Sequence, residues 1–211
     1  MKVTNIETFN FKNAIRGMRN PLNSWGKSDS LFTNDFFEIG GKDLDLMKRL
    51  CKSSSADRKF LRQIFVTMDI TAPLYWWKEM DTYKVGTTSN SQSTMHKLAT
   101  TEITRDCFEI DDLNDDLRFK DGSPILVNID VFLDSLEQIR RLYLDTKDKR
   151  YWKELVRWLP ESWLQTRTWT ANYEVLANIY QQRKNHKLSE WHTFCDYIKD
   201  LPYAKELIIG E

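Results

Sequence analysis

The chain has 211 residues, and Lys plus Arg and Asp plus Glu both total 31, so its formal net charge is zero. Duplex nucleic acid is held through a basic surplus that releases counterions, and this composition lacks one, so a small anionic ligand is favoured over a polyanion. The length suits one domain spanning residues 1–211, and 8 Trp, 8 Tyr and 11 Phe give it ample core material.

In chain order, the first forty residues show no sustained helical period, and residues 4–11 read as a strand. Asn20-Pro21 and Gly40-Gly41 punctuate this region. Asp43 stands where it can cap a short helix with Leu44, Met47 and Leu50 on one face. The spacing of Phe60, Ile64 and Phe65 predicts a helix over 57–68. Thr71-Ala72-Pro73 opens another, since proline is tolerated in a first turn; it carries Leu74, Trp76, Trp77 and Met80 and ends before Gly86. Residues 87–93 read as a hydroxyl-rich loop.

Further on, Asn128 precedes an amphipathic helix with Ile129, Phe132, Leu133, Leu136, Ile139 and Tyr143 in helical register. Helical segments follow at 152–158, stopped by Pro160, at 172–183 and at 188–198, with Pro202 limiting the last. The expected fold class is therefore α+β: a helix-rich single domain with a small antiparallel sheet.

Several chemistries are disfavoured. No apolar run approaches the roughly 20 residues of a membrane helix, and the N-terminus lacks the apolar core of a signal peptide. Cys51, Cys107 and Cys195 are odd in number and far apart, which argues against a disulfide framework and for a reducing, cytoplasmic setting. There is no Gly-rich phosphate loop. Asp112, Asn114 and Asp116 have calcium-loop spacing, but Leu117 replaces the required glycine and Ser123 the terminal glutamate, so an acidic solvent loop is expected. His192 and Cys195 share a helical face, yet no second pair accompanies them to hold zinc, and no base is assigned to any thiol. No metal site and no catalytic residue is assigned.

The informative passage is 74–97. An aromatic helix carries Lys78, Glu79, Asp81 and Lys84, Gly86 permits an abrupt turn, and seven hydroxyl or amide residues run from Thr87 to Ser93 before Thr94, His96 and Lys97. Hydroxyls and backbone N–H groups cradle phosphate when a turn directs them inward, and a helix starting near Ser93 would add its free N–H groups. Lys84, His96 and Lys97 would offset the charge. A solvated polar loop is the plain alternative.

At these residues the sequence resembles the flavin-dependent thymidylate synthases. That family carries an Arg-His-Arg signature followed by a Ser, Asn, Ser series and an arginine. Thr88-Ser89-Asn90-Ser91-Gln92-Ser93-Thr94-Met95 follows the second part, with Thr88, Asn90 and Ser93 at the series positions and Met95 where the arginine belongs. Asp81-Thr82-Tyr83-Lys84-Val85 occupies the place of the basic signature. Leu159-Pro160, Thr166 or Thr168, Asn172, Arg183 and Glu190 continue the family's order, so the resemblance runs from about Asp57 to the end.

The resemblance implies a homotetramer binding FAD and dUMP where subunits meet. Carried over by position, Ser91, Gln92, Ser93 and Arg183 would contact the nucleotide substrate, and Tyr83, Lys84, Asn90 and Asn172 the flavin. NADPH and methylenetetrahydrofolate would be needed for the family's methyl transfer. Loss of two arginines and a histidine removes charge that holds anionic ligands, and methionine at 95 donates nothing. Lys78, Lys84 and Arg62 are the candidate substitutes. A non-catalytic binding or assembly module on the same fold is the competing expectation. No membrane and no nucleic-acid partner is expected.

Overall fold

The computed structural model describes residues 1–34, 36–110 and 117–210. Helices dominate and the sheets are small, which is the α+β class expected. A four-stranded sheet has the order β1 (Lys2–Phe9), β4 (Phe65–Pro73), β6 (Leu164–Asn172), β5 (Thr88–Ser91); a two-stranded antiparallel sheet joins β2 (Leu31–Phe32) and β3 (Phe37–Glu38). The helices are α1 (Phe11–Arg19), α2 (Gly41–Lys52), α3 (Leu74–Met80), α4 (Thr94–Thr100), α5 (Ile125–Thr146), α6 (Lys149–Trp158), α7 (Tyr173–Arg183) and α8 (Ser189–Lys199). Among the described residues, no helix is long and apolar enough to cross a membrane.

The chain divides into two compact units. The first comprises Met1–Lys2, Thr71–Asp81 and Asn90–Arg167; the second comprises Val3–Ile70, Thr82–Ser89 and Thr168–Glu211, Glu211 itself lying outside the described residues.

Several expectations are corrected here. The helix expected over 57–68 is a 3-10 segment, Asp57–Gln63, followed by β4. The reason is a period of two: Val66, Met68, Ile70 and Ala72 are buried, while Thr67, Asp69 and Thr71 are partly open between them. The next helix starts at Leu74 and not at Thr71, with Pro73 as its N-cap in extended conformation. The strand expected at 4–11 ends at Phe9, and left-handed Asn10 (φ 74°) turns the chain into α1, a helix the sequence reading missed. Asp43 lies inside the first turn of α2, whose N-cap is Gly40. The loop expected at 87–93 contains β5, and α5 begins at Ile125, ahead of Asn128. The acidic solvent loop expected around Asp112, Asn114 and Asp116 falls on residues 111–116, which lie outside the described residues.

Cross-strand side chains fix the pairing of β4 with β6. In the second unit the Thr67 and Thr170 hydroxyls meet at 2.9 Å and Thr168 donates to Asp69 at 2.6 Å; in the first, the Thr71 and Thr166 hydroxyls meet at 2.7 Å. Partner numbers fall as β4 rises, so the two strands are antiparallel.

The first unit has a core of Leu98 from α4, Leu133 and Leu136 from α5, Leu155 from α6, and Ile103, Phe108 and Trp163 from the connecting segments, with α5 packed along α6. At its margin, Glu137 accepts from the Ile103 N–H at 2.9 Å and from Arg140 through two bonds of 2.7 Å, with Arg141 at 2.8 Å. The bonds from Arg140, opposed by burial and helped by the Ile103 amide and Arg141, push the Glu137 carboxyl down to about 2. A depressed carboxylate contributes stability above its unfolded value that is lost as pH falls through the folded value. Acid unfolding of wild type is therefore expected to include a loss of about 2–3 kcal/mol between roughly pH 4.5 and 2 that Glu137→Gln lacks, measured by urea melts across that range. Identical pH profiles for the two proteins would contradict this.

The second unit is built around α7, which packs on α8 and on the C-terminal π-helical turn Lys205–Ile209, while α1 and α2 pack on the 3-10 segment. Phe11 stacks on Phe37 at 4.8 Å and meets Tyr173 edge-on at 5.5 Å. Here a polar centre is buried. The Asp43 carboxylate pairs with Arg19 at 2.6 Å, and its second oxygen takes the Ser28 and Ser30 hydroxyls at 2.6 Å and the Asp29 and Ser30 N–H groups at 3.2 Å.

Candidate functional site

In the first unit, the residues expected to hold phosphate sit at the end of β5 and the turn into α4. Asn90, Ser91, Gln92 and Ser93 are all exposed. The backbone beneath them is clamped: Gln92 N–H donates to the Thr166 carbonyl at 2.9 Å, and Gln165 Nε2 donates to the Gln92 carbonyl at 2.9 Å and to Thr94 Oγ1 at 3.0 Å. A helix does start near Ser93, and Ser93 is its N-cap; its Oγ accepts the His96 N–H at 3.4 Å and lies 2.9 Å from His96 Nδ1. With seven residues, α4 offers only a small macrodipole, so the side chains matter more than the helix. Lys97 Nζ reaches Gln92 Oε1 at 3.2 Å. Met95, at the position where an arginine was expected, is half exposed.

Arg167 was missed by the sequence reading. It follows Thr166 on β6, and its guanidinium lies 4.1 Å over the Trp77 ring. Its Nε donates to Gln165 Oε1 at 2.9 Å and its Nη1 to Asp81 at 2.7 Å; Trp77 Nε1 donates to the Gln165 carbonyl at 2.9 Å. The one local signal was an arginine between threonines on an alternating strand. Its indole support comes from another element, which no spacing rule reveals.

The donor balance of this region is informative. Lys97 has three ammonium hydrogens and Arg167 five, of which the bonds above use few, and hydroxyls at 91 and 93 and the Gln92 amide add more. Side-chain donors outnumber acceptors here, on the exposed residues 90–93 and the half-buried Lys97, with Arg167 mostly buried and paired to Asp81 behind them. Such a surface suits an anion.

In the second unit, Tyr83 and Arg183 come together. Arg183 Nε donates to the Tyr83 hydroxyl at 2.9 Å, that hydroxyl donates to Gln182 Oε1 at 2.9 Å, and the guanidinium lies 4.7 Å from the Trp191 ring. Lys84 is exposed beside them in sequence. Asn172 is buried as the N-cap of α7, its Oδ1 accepting the Val175 N–H at 3.1 Å. Gly86 (φ 76°) passes so close that a Cβ there would stand 3.0 Å from Asn172 Nδ2. The turn therefore demands glycine both for conformation and for space.

The other candidates fall away from these groups. Lys78 pairs with Glu161 at 2.6 Å. Cys195 is buried and its thiol is pushed up to about 11 by that burial, while His192 is exposed; among the described residues no group of three ligands could hold a metal. Burial likewise raises the Cys51 thiol to about 11, so neither is a ready nucleophile.

The sequence matches no protein-family model and no curated protein. Solved structures do match. A flavin-dependent thymidylate synthase ThyX from Helicobacter pylori, complexed with FAD and dUMP, aligns with a TM-score of 0.69 at 19% identity over 99% of this chain and 98% of its own. A UMP/dUMP methylase PolB from Streptomyces cacaoi, bound with 5-Br dUMP, aligns with a TM-score of 0.65 at 14% identity over 99% and 94%. The chain has the flavin-dependent thymidylate synthase fold.

On this fold, a flavin would have to find charge for its diphosphate. Of the four residues expected to hold FAD, Lys84 alone is cationic; the Tyr83 hydroxyl is engaged by Arg183 and Gln182, and Asn172 is spent capping α7. That set does not fit a flavin diphosphate by itself, because two phosphate charges buried against one cation remain poorly compensated. No step through flavin is derived from it.

Proposed function

We propose that the turn from β5 into α4 binds the phosphate of a pyrimidine deoxynucleotide of the dUMP type, with Ser91, Gln92 and Ser93 as donors, Lys97 supplying charge, and Arg167, its own charge answered by Asp81, offering its remaining guanidinium hydrogens. The observation that carries this reading is the donor surplus at 91–97 and 167, on a fold whose solved neighbours hold dUMP or its bromo analogue. Removing hydroxyl donors to a charged acceptor costs about 1.5–3 kcal/mol each at most. Ser91→Ala/Ser93→Ala is thus expected to weaken dUMP binding by roughly tenfold or more, measured by calorimetry. Unchanged affinity would sink the proposal.

Arg183 is the further substrate contact in this reading, contributed in a homo-oligomer, a tetramer by resemblance, and light scattering of purified protein tests that assembly. The chemistry offered is binding and orientation of the pyrimidine ring, with methylation as the reaction the neighbours favour. Flavin chemistry stands as a finer reading, supported by the ThyX neighbour solved with FAD. It would need cations beyond Tyr83, Lys84, Asn90 and Asn172, which do not by themselves fit the flavin diphosphate, and would require NADPH and methylenetetrahydrofolate. A colourless preparation with no thermal shift on adding FAD would leave the non-catalytic binding module, which the segment Asp81-Thr82-Tyr83-Lys84-Val85 favours by lacking the basic signature.

A further inference from the structure

A second cleft, in the second unit, has the chemistry of a ligand site and shares no residue with the turn from β5 into α4. It encloses about 320 Å³ between the outer face of α1, the 3-10 turn Trp25–Lys27 and β2, and is lined by Lys12, Asn13, Arg16, Trp25, Ser28 and Phe32, among others. Lys12 and Arg16 stand one helical turn apart on the same face of α1, so their heads can converge on one anion. Among the described residues neither has a carboxylate within 4 Å. The acids of this region are already consumed: Asp43 by Arg19 and the serines, and Asp29 by the Lys42 and Asp43 N–H groups at 2.9 and 3.1 Å. Among the described residues, no acid is left to neutralise the positive charge of the cleft.

Its walls add ring-binding surfaces. Trp25 is 47% exposed, a large apolar plane left open to water, and its indole N–H is fixed by Asn20 Oδ1 at 2.8 Å. Phe32 offers a second, half-buried ring. The Ser28 and Ser30 hydroxyls give their protons to Asp43, which holds the segment carrying them against the buried carboxylate; Ser30 Oγ also accepts the Gly40 N–H at 3.0 Å, so Ser28 Oγ is the acceptor offered to a ligand. Cations for a phosphate, a flat face for a base and an acceptor for amino or hydroxyl hydrogens converge in a volume suited to one small ligand.

We propose that this cleft binds a free nucleoside monophosphate, with Lys12 and Arg16 on the phosphate and Trp25 stacked on the base. The volume admits one nucleotide, and a chain of zero net charge is poorly suited to a polyanion, which favours the free nucleotide over a nucleic-acid strand. The proposal stands independently of the dUMP reading, because no residue is shared.

The test uses the full-length protein with AMP, a purine that separates this cleft from a pyrimidine site. Calorimetry should show saturable AMP binding that Lys12→Gln/Arg16→Gln weakens at least tenfold with the melting temperature unchanged, both positions being exposed. Trp25→Ala should weaken it similarly, and Trp25→Phe should restore much of the loss. Ser91→Ala/Ser93→Ala should leave AMP affinity untouched, so failure of either proposal is visible without the other. The proposal is overturned if AMP does not bind, if the Lys12/Arg16 variant binds it as wild type does, if inorganic phosphate binds equally well and Trp25→Ala changes nothing, or if a short single-stranded oligonucleotide binds more than tenfold tighter than AMP.

Discussion

Asp43→Ala is expected to lower folding stability by about 3–5 kcal/mol, because it leaves the Arg19 guanidinium buried without its counter-charge. Asp43 is fully buried and Arg19 nearly so, with 2.6 Å between their charged atoms. The same carboxylate organises the chain before α2: two serine hydroxyls and two backbone N–H groups converge on one oxygen. All of these donors lose their acceptor together. The measurement is the urea midpoint at constant slope, and a loss below about 1 kcal/mol would contradict the account. Burial by itself would raise the Asp43 carboxyl, but the bonds from Ser28, Ser30 and Arg19 together hold it below its ordinary value. Its contribution is therefore present above the unfolded carboxyl's value and lost as pH falls through the folded one. Asp43→Asn, which keeps the shape and drops the charge, should remove that pH dependence while unfolding less readily than the alanine variant.

Trp191→Ala should cost a similar amount, about 3–5 kcal/mol, through loss of a buried indole and the cavity left behind. Trp191 is fully buried, meeting Phe194 at 6.0 Å, Tyr83 and His186 at 6.2 Å, and lying under the Arg183 guanidinium. The substitution removes a plane that fixes Arg183, so a second consequence is expected wherever Arg183 contacts substrate. Trp191→Phe keeps a ring and should recover part of the stability, as smaller shape changes in a core cost less. Thermal and urea melts read the first effect, and dUMP titration of the phenylalanine variant reads the second. A Trp191→Ala protein as stable as wild type would refute the packing argument.

Legibility varied by element for physical reasons. Segments with a strong period of 3.6 and a stop signal were recovered: α6 before Pro160, α7 after Asn172, and α8. β4 was misread because Phe60, Ile64 and Phe65 mimic helical spacing, although the alternation from Val66 to Ala72 was there to be counted. β6 went unread because its buried positions include Gln165 and Asn172, polar residues whose burial depends on partners elsewhere in the chain. In the candidate site, the polar run ending at Ser93 and a helix start near it are visible in the sequence, and Arg167 is not.

The stretch 74–97 was thus marked by sequence alone, since an aromatic helix, a forced glycine turn and a run of hydroxyl and amide residues are local properties. So was the α+β class, which follows from the balance of periodic segments. Only the tertiary structure showed that Gln165 clamps the backbone at Gln92, that Arg167 rests on Trp77 and answers Asp81, and that Tyr83 holds Arg183. It also showed Asp43 to be a buried counter-ion where local spacing suggested a helix cap. Each of these depends on a partner between 24 and 100 positions away in sequence. Periodicity and capping rules act within one or two turns, so such pairings are decided by how the whole chain buries its charges and rings.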